Sequence, residues 1–476
     1  MKRRPDGLVP LVPLDRRART PLHRQLYAGY RDAIVEGRLK PGQRIPSTRT
    51  LADELGVSRM PVVLAFEQLL AEGYIESKVG AGTFVARALA VPPPVATPRG
   101  PRRLPAPALP AAGAEPWLGG TGPFRIVQPA VDDALAATWA RLLARRSRLQ
   151  SVRQMMYPDP MGVPALREAV ADYLRAVRSV RCTSEQIMIV SGSQQGLALA
   201  ARTLVRPGDA VWMEEPGFGG ARDALALAGA RLVPVPVDGE GLDVDAGIRR
   251  ARAARAVYVT PSHQYPLGTI MSAPRRLQLL EWARRAGAWV IEDDYDSEYR
   301  YDNQPIASLQ GLDSDRRVVY VGTFSKVMFP ALRVGYIVIP DDLVAAFRRV
   351  RGALDNSPAP LQQAALADFI REGHFARHLR RMRAVYAERR AVLVRAIERE
   401  LQLAVTGDMA GMHVVLELPR GARDRDIATR AAKRGIWAAP LSACYAGRAR
   451  AGLLLGYGSA RAADIPGAVR ELAALL

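Results

Sequence analysis

Only two cysteines, Cys182 and Cys444, occur in 476 residues. They can supply neither a disulfide framework nor a four-thiolate zinc site, and both read as ordinary packed or semi-exposed thiols. No stretch of about 18 apolar residues is present, which argues against a transmembrane helix. Met1–Asp15 lacks the continuous apolar run of a secretion signal. These absences lead us to expect a cytoplasmic chain that engages no membrane. Lysine is scarce too: Lys2, Lys40, Lys78, Lys326 and Lys433 are the only lysines among 67 basic residues. A lysine in an apolar, motif-like setting is therefore informative in this chain.

Apolar residues make up 49% of the chain and charged residues 24%, ordinary globular values that exclude wholesale disorder. The length predicts more than one domain, each able to bury its own core. The net charge of +20 is unevenly spread: residues 1–110 hold 18 basic and 9 acidic side chains. Charge per residue is nearly three times higher there than in the rest, which points to a polyanion partner for the N-terminal part. Residues 91–116 contain nine prolines. Neither helix nor sheet ladder survives that density, so the segment reads as an extended linker. It separates a domain over residues 15–90 from one over residues 117–476.

In the first domain Leu22, Leu26, Tyr30 and Ile34 share one face of a helix. Ser47 is an N-cap for a second, short helix that Gly56 ends, and Ser58 caps a third with Pro61 in its first turn. Val63, Phe66, Leu69 and Leu70 are the expected buried face of that third helix. Tyr74–Lys78, the turn Gly80-Ala81-Gly82 and Thr83–Ala86 read as a hairpin. Three helices and a hairpin form a winged helix-turn-helix, whose third helix enters the major groove of double-stranded DNA. The tract from PLHRQLYAGYRDAIVEGRLKPGQRIPSTRT to LLAEGYIESKVGAGTFV resembles the GntR family. The resemblance implies DNA contacts from Arg44, Ser47, Thr48, Arg49, Ser58, Arg59 and Gly82. Met60-Pro61 stands where relatives usually carry polar residues, so two side-chain hydrogen bonders are missing at that point.

In the second domain, short apolar runs alternate with helical stretches. Ile187–Ser191, Ala210–Glu214, Arg231–Val237, Ala256–Thr260, Ala288–Asp293 and Arg317–Gly322 read as buried strands of a mainly parallel α/β sheet, with sites at their carboxyl ends. Three features fall there. The turn Gly192-Ser193-Gln194 opens a helix and can cradle an anion. Asp293 ends the strand WVIEDD. Lys326 follows another strand, where an amine that can shed its proton serves chemistry a guanidinium cannot. Phosphate on the turn, a protonated pyridine nitrogen facing Asp293 and an aldehyde condensed with Lys326 describe one ligand, pyridoxal phosphate.

The order of these features, with Arg333 seven residues beyond Lys326, resembles the fold-type I aminotransferases. The resemblance implies that Phe218 stacks on the cofactor ring and that Tyr295 bonds its hydroxyl. Thr323, Ser325 and Arg333 would surround the phosphate. Tyr157 would reach the phosphate of a partner subunit. Tyr265, with His263 and Gln264 alongside, replaces the asparagine usual near the ring oxygen. The tracts PSHQYPLG, EDDYDSEYRYD and GTFSKVMFPALRVGY, joined to a GntR-type domain, resemble the MocR (GabR-like) transcription regulators. That likeness implies a head-to-tail homodimer that binds DNA and senses pyridoxal phosphate, or a small amine or amino-acid effector, through an aldimine at Lys326. The alternative is a working aminotransferase with an appended DNA-binding domain. Against it, the arginine that clamps a substrate carboxylate is replaced by Leu454, with Arg448 and Arg450 near in sequence. His374 and His378 lie four apart on a helix without a third ligand, so we expect a surface helix and no metal. The arginines of residues 377–395 read as a solvated helix face.

Overall fold

The computed structural model describes residues 13–87, 115–301, 306–407 and 409–476, with the side chain of Arg153 left aside. The chain divides into two units, Met1–Ala106 and Pro107–Leu476. Most of the expected linker lies outside the described residues, as do residues 1–12 and the boundary at residue 90. Within the linker tract, Glu115 and Pro116 are described, and Pro116 begins a short 3-10 turn.

In the first unit, helices Leu22–Val35, Thr48–Leu55 and Arg59–Ala71 pack around Leu26, Tyr30, Leu51, Phe66 and Leu69. The Ser47 hydroxyl accepts a hydrogen bond from the Thr50 amide, which satisfies one of the free donors of the second helix. Gly56 closes that helix in the left-handed region (φ 61°), where a Cβ would be strained. The third helix departs from expectation on one face. Val62 and Ala65 are buried beside Phe66 and Leu69, whereas Leu70 is exposed and Val63 only half-buried. The register is set by Tyr30 meeting Phe66 edge-on across the first helix. Strands Ile75–Lys78 and Gly82–Val85 form the hairpin, and Arg44–Ile45 adds a third antiparallel strand beyond the hairpin expected from sequence.

The second unit is built on an eight-stranded sheet. Its order is Ile187–Val190, Gly335–Val338, Val318–Thr323, Trp289–Asp294, Ala256–Val259, Ala210–Glu215, Arg231–Asp238 and Gly241–Leu242. Gly335–Val338 and Gly241–Leu242 run antiparallel to their neighbours, so the sheet is mixed. Side chains alternate between its faces. Met213, Tyr258, Ile291, Val319 and Val321 pack toward helices Ser193–Leu204 and Gly219–Leu227, while Trp212, Val257, Val290 and Val318 pack on the other side. A four-stranded antiparallel sheet, ordered Val405–Thr406, His413–Glu417, Gly452–Gly456 and Ala439–Pro440, completes the unit beside the long helix His374–Glu400. Two expectations fail on that helix. His378 is 3% exposed and lies in the interior rather than at a surface. Arg383 donates to the Glu298 carbonyl at 2.7 Å, so the arginine face is partly engaged. No group of three or more metal-ligating side chains occurs among the described residues, nor is any helix there long and apolar enough to cross a membrane. Both cysteines are buried, and burial pushes their thiols up to about 11 for Cys182 and about 12 for Cys444.

Candidate functional site

The strand WVIEDD shows how backbone period selects one acid of three. Glu292 and Asp294 point to one face, where structure consumes them. Glu292 accepts from the Leu309 and Gln310 amides at 2.8 Å each. Asp294 pairs with the buried Arg178 at 2.8 Å. Asp293 points to the other face. One of its oxygens accepts from the Tyr258 hydroxyl at 2.9 Å. Its second oxygen, Oδ1, is buried without a partner. Burial pushes the carboxyl up to about 7 against the pull of Tyr258 and Lys326. An unpaired buried carboxylate oxygen is costly, and a protonated ring nitrogen is a partner that would repay it.

Lys326 follows the strand Val318–Thr323 and is half-buried. Its Nζ donates to the Val127 carbonyl at 3.1 Å. Burial lowers its ammonium to about 8, helped by Arg333 and Arg125 and opposed by Asp296 and Asp293. A substantial neutral fraction is then present near neutral pH, as a nucleophilic amine requires. Val127 itself holds φ 57°, an unusual conformation for a β-branched residue. Neither Val127 nor Tyr258 carries a sequence motif, and the sequence reading missed both.

The turn after Ile187–Val190 stands beside this lysine's loop. Gly192 has φ 87°, and a Cβ there would meet the Arg333 guanidinium at 3.1 Å. Arg333 donates to the Ser191 carbonyl at 2.9 Å. Ser193 opens a 12-residue helix whose first amides lack intrahelical partners. Thr323 Oγ1 accepts from the Ser325 amide at 3.1 Å, and Ser325 Oγ is buried without a partner. The Gln194 side chain turns away to donate to the Gly220 carbonyl at 2.7 Å, so its backbone amide is what it offers to the turn.

Three aromatic rings line a second side. Phe218 and Tyr265 meet edge-on with centroids 5.7 Å apart, and Tyr265 meets Tyr295 at 6.1 Å. The Tyr265 hydroxyl pairs with the Cys444 thiol. Gln264 is structural: its amide donates to the Pro216 carbonyl at 2.9 Å and to Glu214 at 3.2 Å. Tyr157 stands apart, 90% exposed, with no contact to these groups within the chain. Leu454 is a buried member of the C-terminal sheet, opposite Val415 and Ala439. Arg450 donates to the Tyr445 hydroxyl at 3.2 Å, and both Arg448 and Arg450 are exposed.

These groups provide an anion cradle, a proton-holding carboxylate and a proton-shedding amine at the carboxyl ends of three strands of one sheet. The residues present fit pyridoxal phosphate. The unpaired Asp293 Oδ1, the unpaired Ser325 hydroxyl and the Gly192 turn that admits no Cβ match its nitrogen and phosphate.

In the first unit the sequence-expected residues form an exposed basic surface. Arg44, Ser47, Arg49, Ser58 and Arg59 are exposed, with Thr48 half-buried. Arg59 Nε donates to Thr48 Oγ1 at 3.2 Å, which ties the start of the third helix to the second. Gly82 (φ 109°) admits the Arg44 side chain, 3.1 Å from where a Cβ would stand. Met60 beside them is 63% exposed.

Residues 22–85 match the family of bacterial regulatory proteins, gntR family, and residues 129–453 match aminotransferase class I and II. The chain is 44% identical to the probable rhizopine catabolism regulatory protein MocR of Rhizobium meliloti, over 94% of this chain and 92% of the relative. It is 32% identical to the pyridoxine biosynthesis transcriptional regulator PdxR of Corynebacterium glutamicum, over 92% of each. Among solved structures, the α-aminoadipate aminotransferase LysN of Thermus thermophilus, complexed with N-(5'-phosphopyridoxyl)-L-leucine, superposes with a TM-score of 0.67. It is 29% identical and covers 75% of this chain and 91% of its own.

Proposed function

Because the chain belongs to the MocR family of transcription regulators, a gntR-type domain joined to an aminotransferase class I and II domain, we propose that its large unit senses pyridoxal phosphate, and an amine or amino acid brought to it, through Lys326. The observation that carries this reading is the unpaired, buried Asp293 Oδ1 on the strand beside the one bearing Lys326. The cofactor, when bound, supplies a carbonyl carbon open to primary amines and a ring that withdraws electrons. Lys326 offers the amine. Asp293 holds a proton at the ring nitrogen. The amides of Gly192, Ser193 and Gln194, with Thr323, Ser325 and Arg333, hold the phosphate. Phe218 and Tyr265 shape the ring's slot, and Tyr295 faces the ring hydroxyl. Tyr157, exposed on its own chain, is suited to complete the site of a partner in a homodimer.

The DNA side of the proposal rests on the exposed set Arg44, Ser47, Thr48, Arg49, Ser58, Arg59 and Gly82. Arginine pairs bidentately with phosphate or with guanine edges, and Ser58 at a helix start can donate to phosphate. A cytoplasmic location follows from this role. The winged helices of a dimer would engage repeated half-sites, and ligand capture would favour one DNA-binding geometry over another.

Turnover as an aminotransferase is the less favoured reading. Leu454 occupies the clamp position, Arg450 is engaged by Tyr445, and no charge-assisted grip on a carboxylate is built there. The experiment is stopped-flow absorbance of full-length protein with α-, β- and γ-amino acids, beside a DNA-shift assay. A persistent spectral change with altered DNA binding is expected. Conversion to keto acid near a typical enzymatic turnover of about 10 per second would overturn the sensor reading.

A further inference from the structure

One buried cluster beside the site has no task in the proposal so far. His263 Nδ1 lies 3.0 and 3.1 Å from the two carboxylate oxygens of Asp296. The same nitrogen is 3.0 Å from the Tyr295 hydroxyl. His263 is 2% exposed and Asp296 1%. The imidazole is walled in by backbone. A Cβ at Gly411 would stand 2.2 Å from its Cε1, and one at Gly268 3.1 Å from its Nε2. Both glycines have positive φ, so the close approach also suits the residue type. His413 faces it with centroids 5.4 Å apart, and burial lowers that imidazole to about 4, so His413 is neutral.

Counting protons decides what the cluster does. An ionised carboxylate only accepts, so the nitrogen facing Asp296 carries its hydrogen. Nδ1–H therefore donates toward Asp296 and toward the phenol oxygen, and cannot accept the phenol's proton. Nε2 is buried without a partner, and because a buried acceptor without a partner is better tolerated than a buried N–H, that nitrogen is assigned the lone pair. The Tyr295 hydroxyl makes no other hydrogen bond among the described residues, so its proton is uncommitted. Without the imidazole between them, that proton would go to Asp296, because a hydrogen bond to a charged acceptor is the stronger one.

We infer that His263, backed by Asp296, is a positioning residue that withholds the carboxylate from Tyr295 and so commits the Tyr295 O–H to the ring hydroxyl oxygen of the cofactor. This rests on the pyridoxal phosphate reading above, and it assigns a role to a histidine that acts through Tyr295. The donated Nδ1–H also polarises the phenol and strengthens its own donation.

The test uses full-length apo protein and two probes, pyridoxal phosphate and 3-deoxypyridoxal phosphate, which lacks the ring hydroxyl. His263→Phe keeps an aromatic ring, somewhat larger than imidazole, and loses the donor. His263→Asn keeps a donor near the Nδ1 position. Loss of a committed hydrogen bond is expected to loosen pyridoxal phosphate about tenfold in His263→Phe. It should also raise the pH midpoint of the bound cofactor's visible band, since the ring oxygen then holds its neighbouring proton more tightly. His263→Asn should restore both. Wild type and His263→Phe should bind the deoxy analogue alike. Should His263→Phe not fold, His263→Gln takes its place, because its amide reaches the Nε2 position and leaves the Nδ1 position bare. Equal weakening for both probes, or no rescue by asparagine, would overturn the role given to His263. Failure of wild type to bind either probe would instead overturn the cofactor reading itself.

Discussion

The two units solve recognition with opposite placements of charge. In the first, the residues proposed for DNA sit in water: Arg44, Arg49 and Arg59 are exposed, and glycine and serine give them backbone room and helix starts. In the second, Asp293, Asp296 and His263 are buried and Lys326 is half-buried, and desolvation shifts the protonation of Asp293 and Lys326. A polyanion is met by side chains that are always charged, and counterion release does the energetic work at the surface. A carbonyl is captured by an amine that must first lose its charge, which only a dry site arranges near neutral pH. The scarcity of lysine follows the same division. Arginine supplies 62 of the 67 basic side chains, and Lys326 stands where a guanidinium could not shed its proton.

The largest test of that contrast is Lys326→Ala. It should abolish the visible band and any borohydride-trapped label on the chain. DNA affinity of the cofactor-free protein should remain within about threefold. Label found on Lys40, Lys78 or Lys433 would break the assignment. Next in size is the pH profile of cofactor capture by apo protein. With the ammonium lowered to about 8, the neutral fraction, and with it the rate, should rise about tenfold per pH unit below that point and level off above it. An ordinary lysine would keep gaining up to about pH 10, so a profile still climbing at pH 9.5 would place Lys326 in water.

Arg59→Ala sharpens the other side. It should cost about 1–3 kcal/mol of DNA binding if the guanidinium reads a base, with relaxed preference at that position, and leave the visible band unchanged. A uniform loss across sequences, with a shallower salt dependence, would make it a phosphate contact instead. The smallest expected effect is Ser47→Ala. Removing the cap on the Thr50 amide should cost about 1 kcal/mol of stability in the first unit. Thermal melts of full-length protein should show the transition of the first unit move while that of the second stays.

Much of this is legible in the sequence. The caps at Ser47 and Gly56 and six of the eight strands of the second unit's larger sheet are legible because turn residues and apolar runs are local signals. The third helix shows the limit. Its apolar residues cover more than one stripe, and Leu64, Leu69 and Leu70 look alike in sequence. Only packing against Tyr30 of the first helix buries Val62, Ala65, Phe66 and Leu69 and leaves Leu64 and Leu70 exposed. His378 was misjudged for the same reason: helical spacing says nothing of what covers the helix. At the site, Tyr258 and Val127 lie on different elements outside any recognisable motif, and Asp296, though it lies in the tract EDDYDSEYRYD, meets His263 only through the fold.

What the sequence determined by itself is the inventory: a basic N-terminal domain, an α/β domain after a proline-rich tract, and an acid, an amine and an anion turn at strand ends. Their types and spacing suffice for that, since each needs only its own local element. The tertiary structure decided the states of those groups. It turned Asp293 toward Tyr258 while Asp294 met Arg178, lowered Lys326 by removing water, and walled His263 between Gly268 and Gly411 so that its proton faces Asp296. Protonation and hydrogen-bond direction depend on burial and on neighbours distant along the chain, and those exist only once the chain has folded.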